Sequence, residues 1–299
     1  MKTHWIRNAA LAFALAVVGV VGTVGVAQAQ DASALRAKYD GLREQLADSP
    51  FRRPLVLQST QSSGDLTGEV YAIVDQPFGT VGPALQGMSR WCDLLMLHLN
   101  VKHCSAAGQS PNEVLSLVVG RKFDQPLEDG YKVDFAYDLP AADAGYLRVQ
   151  MTADTGPMST RNYRLALEAV PLDATRSFVH MSYAYAYGTA ARLAMQLYLA
   201  TAGRDKVGFS ITGKSGDGKP VYVDGVRGVV ERNTMRYYLA IEAYLGAKSA
   251  PPAEQQEKRL HDWFAATERY PVQLHEIERD EYLAMKRHEL QRQRSALNR

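Results

Sequence analysis

From Tyr131 to Tyr187 apolar and polar side chains alternate with a period of two in one segment after another. Tyr131, Val133, Phe135 and Tyr137 share one face against Lys132, Asp134 and Asp138. Leu147, Val149 and Met151 alternate with Arg148, Gln150 and Thr152, and Tyr163, Leu165 and Leu167 with Arg164 and Glu168. In Ser177 to Tyr187 one face carries Val179, Met181, Tyr183, Tyr185 and Tyr187. Successive side chains of a strand point to opposite faces, so this alternation predicts half-buried strands. Turn residues at Asp129-Gly130, Asp143 to Gly145 and Thr155 to Pro157 fall at hairpin spacing and predict an antiparallel meander.

On either side of the meander the pattern changes. Leu35, Tyr39, Leu42 and Leu46 follow steps of four, three and four, which predicts a helix over Ala32 to Ala47, stopped by Ser49-Pro50. Leu55 to Thr60 and Leu66 to Asp75 read as two strands around Gly64-Asp65. Pro77 then opens a helical stretch through Leu97, interrupted near Gly87. Val207 to Thr212 and Lys219 to Val223 predict a last strand pair around the Gly213 to Gly218 turn. After Asp224 the period is helical, through Val226, Val230, Asn233, Tyr237, Ile241 and Tyr244, with Gly246 as C-cap. Met235, Tyr238 and Leu239 widen the apolar arc, so this helix is expected to meet the sheet on one side and a second apolar body, core or ligand, on another.

The tail from Pro251 to Arg299 balances nine basic against nine acidic residues, the mark of a solvated helical face. Leu260, Trp263, Phe264, Leu274, Ile277, Tyr282, Met285 and Leu290 add apolar surface and Pro271 breaks the run. Two helices are expected, docked on the domain or on a partner.

Composition and the N-terminus bear on where the protein works. Lys2 and Arg7 form a basic head before the apolar run Ala9 to Ala27, and Ala27-Gln28-Ala29 is a small-x-small cleavage pattern. A cleaved secretory signal ending at Ala29 and a periplasmic protein are expected; an uncleaved anchor is the alternative. The expected organisation is a signal at 1–29, a helix and lead-in strand at 30–65, an α+β domain at 66–247 and a charged helical tail at 248–299. The signal takes two of the 34 basic residues and none of the 32 acidic ones, which leaves the mature chain without net charge. Such a chain lacks the basic excess that a nucleic-acid partner demands. The two cysteines, Cys92 and Cys104, are an even pair in an oxidising compartment and are expected to form a disulfide. A metal site on His98, His103 and Cys104 is the alternative, at a spacing that fits no standard zinc pattern.

Motifs for catalysis are sparse. The turn Gly213-Lys-Ser-Gly-Asp-Gly218-Lys219-Pro220 misses a phosphate-binding loop by one residue, because Pro220 stands where the hydroxyl for magnesium belongs. Neither a Gly-x-Ser-x-Gly elbow nor a His-Glu-x-x-His run occurs, and no motif requires a cofactor. Asp173 and His180 lie near each other, with His180 opposite the tyrosine row of its strand, which marks it as a surface or packing residue. Tyr183, Tyr185 and Tyr187 point one way and could offer an apolar wall with hydroxyls for orienting a ligand, but Tyr is a favoured strand residue and a role in the core alone is the preferred reading.

Helix and hairpin, an early helical insertion, an antiparallel meander and one long apolar helix follow each other in an order that resembles the START-like (SRPBCC) superfamily. The residues that carry the likeness are Gly68-Glu-Val-Tyr-Ala-Ile-Val-Asp-Gln-Pro-Phe78 leading to Met88-Ser-Arg-Trp-Cys-Asp-Leu-Leu95, and Val229 to Leu245. The resemblance implies an α+β helix-grip fold, a curved antiparallel sheet wrapped around the C-terminal helix, with a cavity between them for a lipid, sterol, polyketide or other apolar molecule. The expected lining is Tyr163, Met181, Tyr183, Tyr185, Tyr187, Asn233, Arg236 and Tyr237. An exported address, a disulfide and a charged tail depart from a typical member. The expected function is binding or transport of a hydrophobic, lipid-like small molecule in the periplasm. The alternatives are a cyclase- or hydratase-type enzyme on the same fold, and a structural protein that binds a protein partner through residues 251–299.

Overall fold

The structure is a computed structural model and describes residues 23–189, 192–193 and 206–297. The basic head and most of the apolar run of the expected signal lie outside the described residues. Helix α1 (Thr23–Ala47) is followed by strands β1 (Leu55–Gln61) and β2 (Asp65–Val74) and the short helices α2 (Phe78–Leu85) and α3 (Met88–Leu95). Six further strands follow: β3 (Val101–Ala107), β4 (Glu113–Val119), β5 (Tyr131–Ala142), β6 (Leu147–Thr155), β7 (Thr160–Pro171) and β8 (Ser177–Tyr187). A small hairpin, β9 (Ile211–Lys214) and β10 (Pro220–Tyr222), precedes the long helix α4 (Gly225–Gly246). The tail forms α5 (Pro252–Thr267), α6 (Pro271–Leu274) and α7 (Arg279–Leu297).

Eight strands make one antiparallel sheet in the order β1-β2-β8-β7-β6-β5-β4-β3. Because side chains alternate, register fixes the faces. Val70, Met181, Leu167 and Val149 sit side by side across four strands, all buried. This face packs against α4. The opposite face presents Tyr71, Phe178, Val170 and Tyr146 to Ala32, Leu35, Leu42 and Leu46 of α1. One sheet therefore separates two apolar layers, the long helix on the inner side and α1 on the outer.

Contact between sheet and helix depends on a glycine. A Cβ on Gly68 of β2 would collide with the Thr234 hydroxyl of α4 and stand 3.3 Å from the Val230 carbonyl oxygen. At Gly87, φ of +86° allows the sharp break between α2 and α3 that the sequence predicts.

Two features differ from the expectation. Strands β3 and β4 extend the meander where no alternation announces them. In Val101-Lys-His-Cys-Ser-Ala-Ala the buried lysine Lys102 follows buried Val101, so polarity along β3 does not report the face. The last strand pair is shorter than expected and stands apart as its own two-stranded sheet. Glu231 is the reason: its carboxylate accepts the backbone N–H groups of Phe209 (2.6 Å) and Ser210 (2.9 Å) and so holds this stretch against α4 instead of in a ladder. The Gly213–Gly218 stretch is the exposed tip of that hairpin.

The charged tail docks on its own domain. Leu260, Trp263, Leu274, Tyr282 and Met285 are buried, and Trp263 and Tyr282 stack at 5.0 Å. Helix α7 also covers the exposed edge of β3: Lys286 Nζ donates to the Val101 carbonyl (2.7 Å) and Gln293 Oε1 accepts the Cys104 N–H (3.0 Å). Satisfying an edge strand with side chains removes a template for unwanted pairing. Lys102 and Lys286, both fully buried, share the carboxylate of Glu289 at 2.9 and 2.7 Å. Cys92 of α3 and Cys104 of β3 form the expected disulfide, with Cα atoms 5.3 Å apart. Among the described residues no helix is long and apolar enough to cross a membrane.

Candidate functional site

The inner face of the sheet at β7 and β8 and the facing turn of α4 bring most of the expected lining together. Tyr163 and Tyr185 stack at 5.3 Å, Tyr183 lies 5.5 Å from Tyr185, and Tyr237 of α4 reaches Tyr183 at 5.3 Å. Phe135 closes the group edge-on against Tyr163 at 6.2 Å. Offset and tilted rings at these distances attract beyond their area of burial. Period-two spacing on β8 and the crossing of α4 over this face produce the cluster.

Burial is uneven across this group. Met181, Tyr183, Tyr185 and Tyr187 are buried, whereas Tyr163, Asn233 and Tyr237 retain some accessible surface. Asn233 and Tyr237 are one turn apart on α4, so the accessible strip is continuous along the helix. Burial nevertheless pushes the Tyr237 and Tyr185 hydroxyls well above the ordinary tyrosine range, and both stay neutral. Tyr163 and Tyr237 thus keep some accessible surface while packed against the core as part of an aromatic group. The Tyr163 hydroxyl is engaged with Thr160 Oγ1 at 2.6 Å.

Two of the expected residues serve elsewhere. Tyr187 lies at the end of β8, where its hydroxyl accepts from Gln61 Nε2 (3.3 Å) and the Arg192 guanidinium covers its ring. Arg236 does not offer its guanidinium end to a head group. It turns to the tail, donating from Nη2 to Glu276 Oε1 (2.6 Å) and to the Leu274 carbonyl (3.4 Å), while Nη1 reaches Asn233 Oδ1 (3.4 Å). Burial raises the Glu276 pKa, but Arg236, Lys122 and Lys206 outweigh it and hold the group at about 2.

His98, which the sequence offers only as a metal ligand, is a further member of this group. Only 2% exposed, it stacks on Tyr237 at 4.8 Å and lies 6.5 Å from Trp263. Its Nδ1 accepts the Asn100 backbone N–H at 3.1 Å. Burial first, and then the charge of Arg236, keep the ring neutral. A lone histidine just before β3 carries no motif; only its place in the fold makes it part of this group. The metal alternative fails on Cys104, which is consumed by the disulfide.

Other polar groupings belong to the outer face and the rim. Asp173 does not meet His180; it accepts from the backbone and side chains of Thr175 and Arg176. His180 instead bridges Glu168 (2.9 Å) and Glu69 (3.0 Å) beneath α1 and stacks on Tyr71 at 4.3 Å. Open clefts of about 520 and 780 Å³ meet at Arg53, Pro54, Ile73 and Asp75, and neither is lined by the aromatic group.

An antiparallel sheet curved around one long helix is the helix-grip arrangement. The fold is α+β. No family model matches the chain, and no curated protein matches it. Solved structures similar to it include the Zhui aromatase/cyclase from Streptomyces sp. R1128, at 14% identity over 66% of this chain and 96% of that one, with a TM-score of 0.34. A truncated norcoclaurine synthase from Thalictrum flavum matches at 14% identity over 48% of this chain and 90% of that one, TM-score 0.32. A START superfamily protein from Mycobacterium smegmatis matches at 12% identity over 48% and 97%, TM-score 0.32.

Proposed function

We propose that the protein binds a hydrophobic small molecule in the aromatic recess between β7, β8 and α4, and that it does so in the periplasm as a carrier. The observation that carries this reading is the accessible strip of Tyr163, Asn233 and Tyr237 within an otherwise buried face. A recess walled by aromatic rings with a few polar groups suits an apolar guest, which gains by leaving water while the hydroxyls orient it. The Cys92–Cys104 disulfide and the signal-like N-terminus support the oxidising address.

Titration with the apolar fluorophore N-phenyl-1-naphthylamine tests the binding reading. Trp263 stands beside His98, close enough to transfer excitation to a guest in the recess. The expected result is saturable binding of one equivalent with quenching of tryptophan emission. Enhancement that never saturates, or none at all, contradicts it. Separately, fractionation of cells that express the full chain tests the address, with the mature protein expected in the periplasmic fraction.

A further inference from the structure

The loop between α1 and β1 carries a strained residue. Arg52 has φ of +55°, in the left-handed region where an L side chain is crowded and glycine or asparagine is the usual occupant. Its neighbours hold it there. The Arg52 N–H closes a turn on the Ser49 carbonyl at 3.0 Å, and Ser49 Oγ accepts the Phe51 N–H (3.3 Å) while donating to the Leu55 carbonyl (2.5 Å). Phe51 packs on Phe209 at 5.5 Å and on Tyr270 at 5.9 Å. So anchored, the turn leaves the Arg52 side chain exposed, without a hydrogen bond or ion pair among the described residues, in the lining of the open cleft of about 780 Å³. Backbone strain that persists because its surroundings enforce it gathers at ligand sites.

Charge and shape narrow the ligand. Arg43 from α1, Arg52 and Arg53 from the loop and Arg176 from the β7–β8 turn line this cleft, against the carboxylates of Asp48 and Asp75. Arg53 is spent on Glu242, with Nη1 2.8 Å from Oε2. Arg43 and Arg176 pair with Asp40 (2.8 Å) and Asp173 (2.7 Å) at exposed positions, where an ion pair is worth little and yields to a better anion. Guanidinium groups that arrive from three elements suit a tetrahedral oxyanion, whose oxygens point in several directions; a planar carboxylate is satisfied by one of them. A bare phosphate fills little of the cleft, and Tyr39, Pro54 and Ile73 offer apolar surface to an organic remainder.

We infer that the cleft between α1, the 49–54 loop and the β7–β8 turn binds a phosphate ester, with Arg52 as its principal contact and Arg43 and Arg176 adding charge. This site is independent of the apolar guest, because no member of the aromatic group lines it.

Calorimetric titration with glycerol 3-phosphate, with glycerate, and with phosphatidylcholine vesicles with and without phosphatidic acid tests this. Glycerol 3-phosphate and phosphatidic acid present one phosphate chemistry in free and in lipid form. Saturable binding of glycerol 3-phosphate, at least about tenfold tighter than glycerate, assigns a soluble ligand; binding confined to the vesicles with phosphatidic acid assigns a lipid headgroup. Arg52→Gly relieves the left-handed φ and removes the guanidinium. It is expected to weaken whichever binding is found by at least about tenfold while keeping or raising the melting temperature. Arg52→Lys restores the charge and is expected to recover part of the affinity. No saturable binding in either arm, equal affinity for glycerate, or binding that Arg52→Gly leaves intact overturns the inference.

Discussion

Gly68 of β2 and Thr234 of α4 stand so close that a Cβ on the glycine would lie 3.1 Å from the threonine Cβ and collide with its hydroxyl. That hydroxyl is held in place by donating to the Val230 carbonyl at 2.7 Å, so it cannot swing aside without losing a buried bond. The long helix sits on the sheet at this distance because nothing projects from Gly68. Gly68→Ala is therefore expected to lower stability by about 1–3 kcal/mol through overpacking, with a lower denaturant midpoint in urea. An unchanged midpoint would show that the helix is free to move off the sheet.

Docking of the tail rests on a charge balance in which two buried ammonium groups share one carboxylate. Burial pulls the pKa of Lys286 down to about 8, even though Glu289 opposes the shift. Removing that carboxylate leaves buried charge unmatched, which typically costs about 3–5 kcal/mol. Glu289→Gln is expected to show such a loss in chemical denaturation, together with easier proteolysis within α7. Replacing all three residues by apolar ones of similar size is expected to be far milder, because no charge is then stranded.

Acid and alkaline limits follow from two other groups. Glu276 has a folded pKa of about 2 against an ordinary 4.5. Its contribution is complete above pH 4.5 and is lost as the pH falls toward 2, at most about 3 kcal/mol. His180 behaves oppositely: burial lowers its pKa, but hydrogen bonds to Glu168 and Glu69 win and raise it above the ordinary 6.5. Its contribution is complete below 6.5 and fades as the pH rises through the raised value. Melting curves from pH 3 to 8 are expected to lose the acid slope in Glu276→Gln and the slope above 6.5 in His180→Gln. Unchanged profiles would show that neither group titrates differently on folding.

How much of this was legible beforehand depends on the element. Strands β5 to β8 announce themselves because the face toward the long helix is apolar at every second position, so register and burial coincide in Val179, Met181, Tyr183 and Tyr185. Strand β3 does not, because Lys102 is buried by a partner 187 positions away, Glu289. The tyrosines could be placed on one face from spacing alone, whereas the destination of Arg236 depends on Glu276 and Leu274 in a tail whose docking no local pattern specifies. His98 stays silent for the same reason: its neighbours Tyr237 and Trp263 are distant in sequence. Periodicity reports which way a side chain faces, and long-range pairing decides what it meets there.

The disulfide offers a test of how α3 is held. It ties Cys92 to Cys104 across a short loop and is expected to contribute about 3 kcal/mol in the chain-entropy picture. Reduction, or the double substitution Cys92→Ala with Cys104→Ala, is expected to lower the denaturant midpoint accordingly. An identical midpoint in reduced and oxidised protein would leave the link without a stabilising role.

The central claim is that the aromatic recess holds a guest, and native mass spectrometry of the folded protein tests it most directly. After incubation with a total bacterial lipid extract, the account predicts one additional mass per chain, released on collisional activation and diminished in Asn233→Trp, which fills the accessible strip while the melting temperature confirms folding. A mass equal to that of the bare chain under the same conditions, or an adduct carried equally by the filled variant, would contradict it.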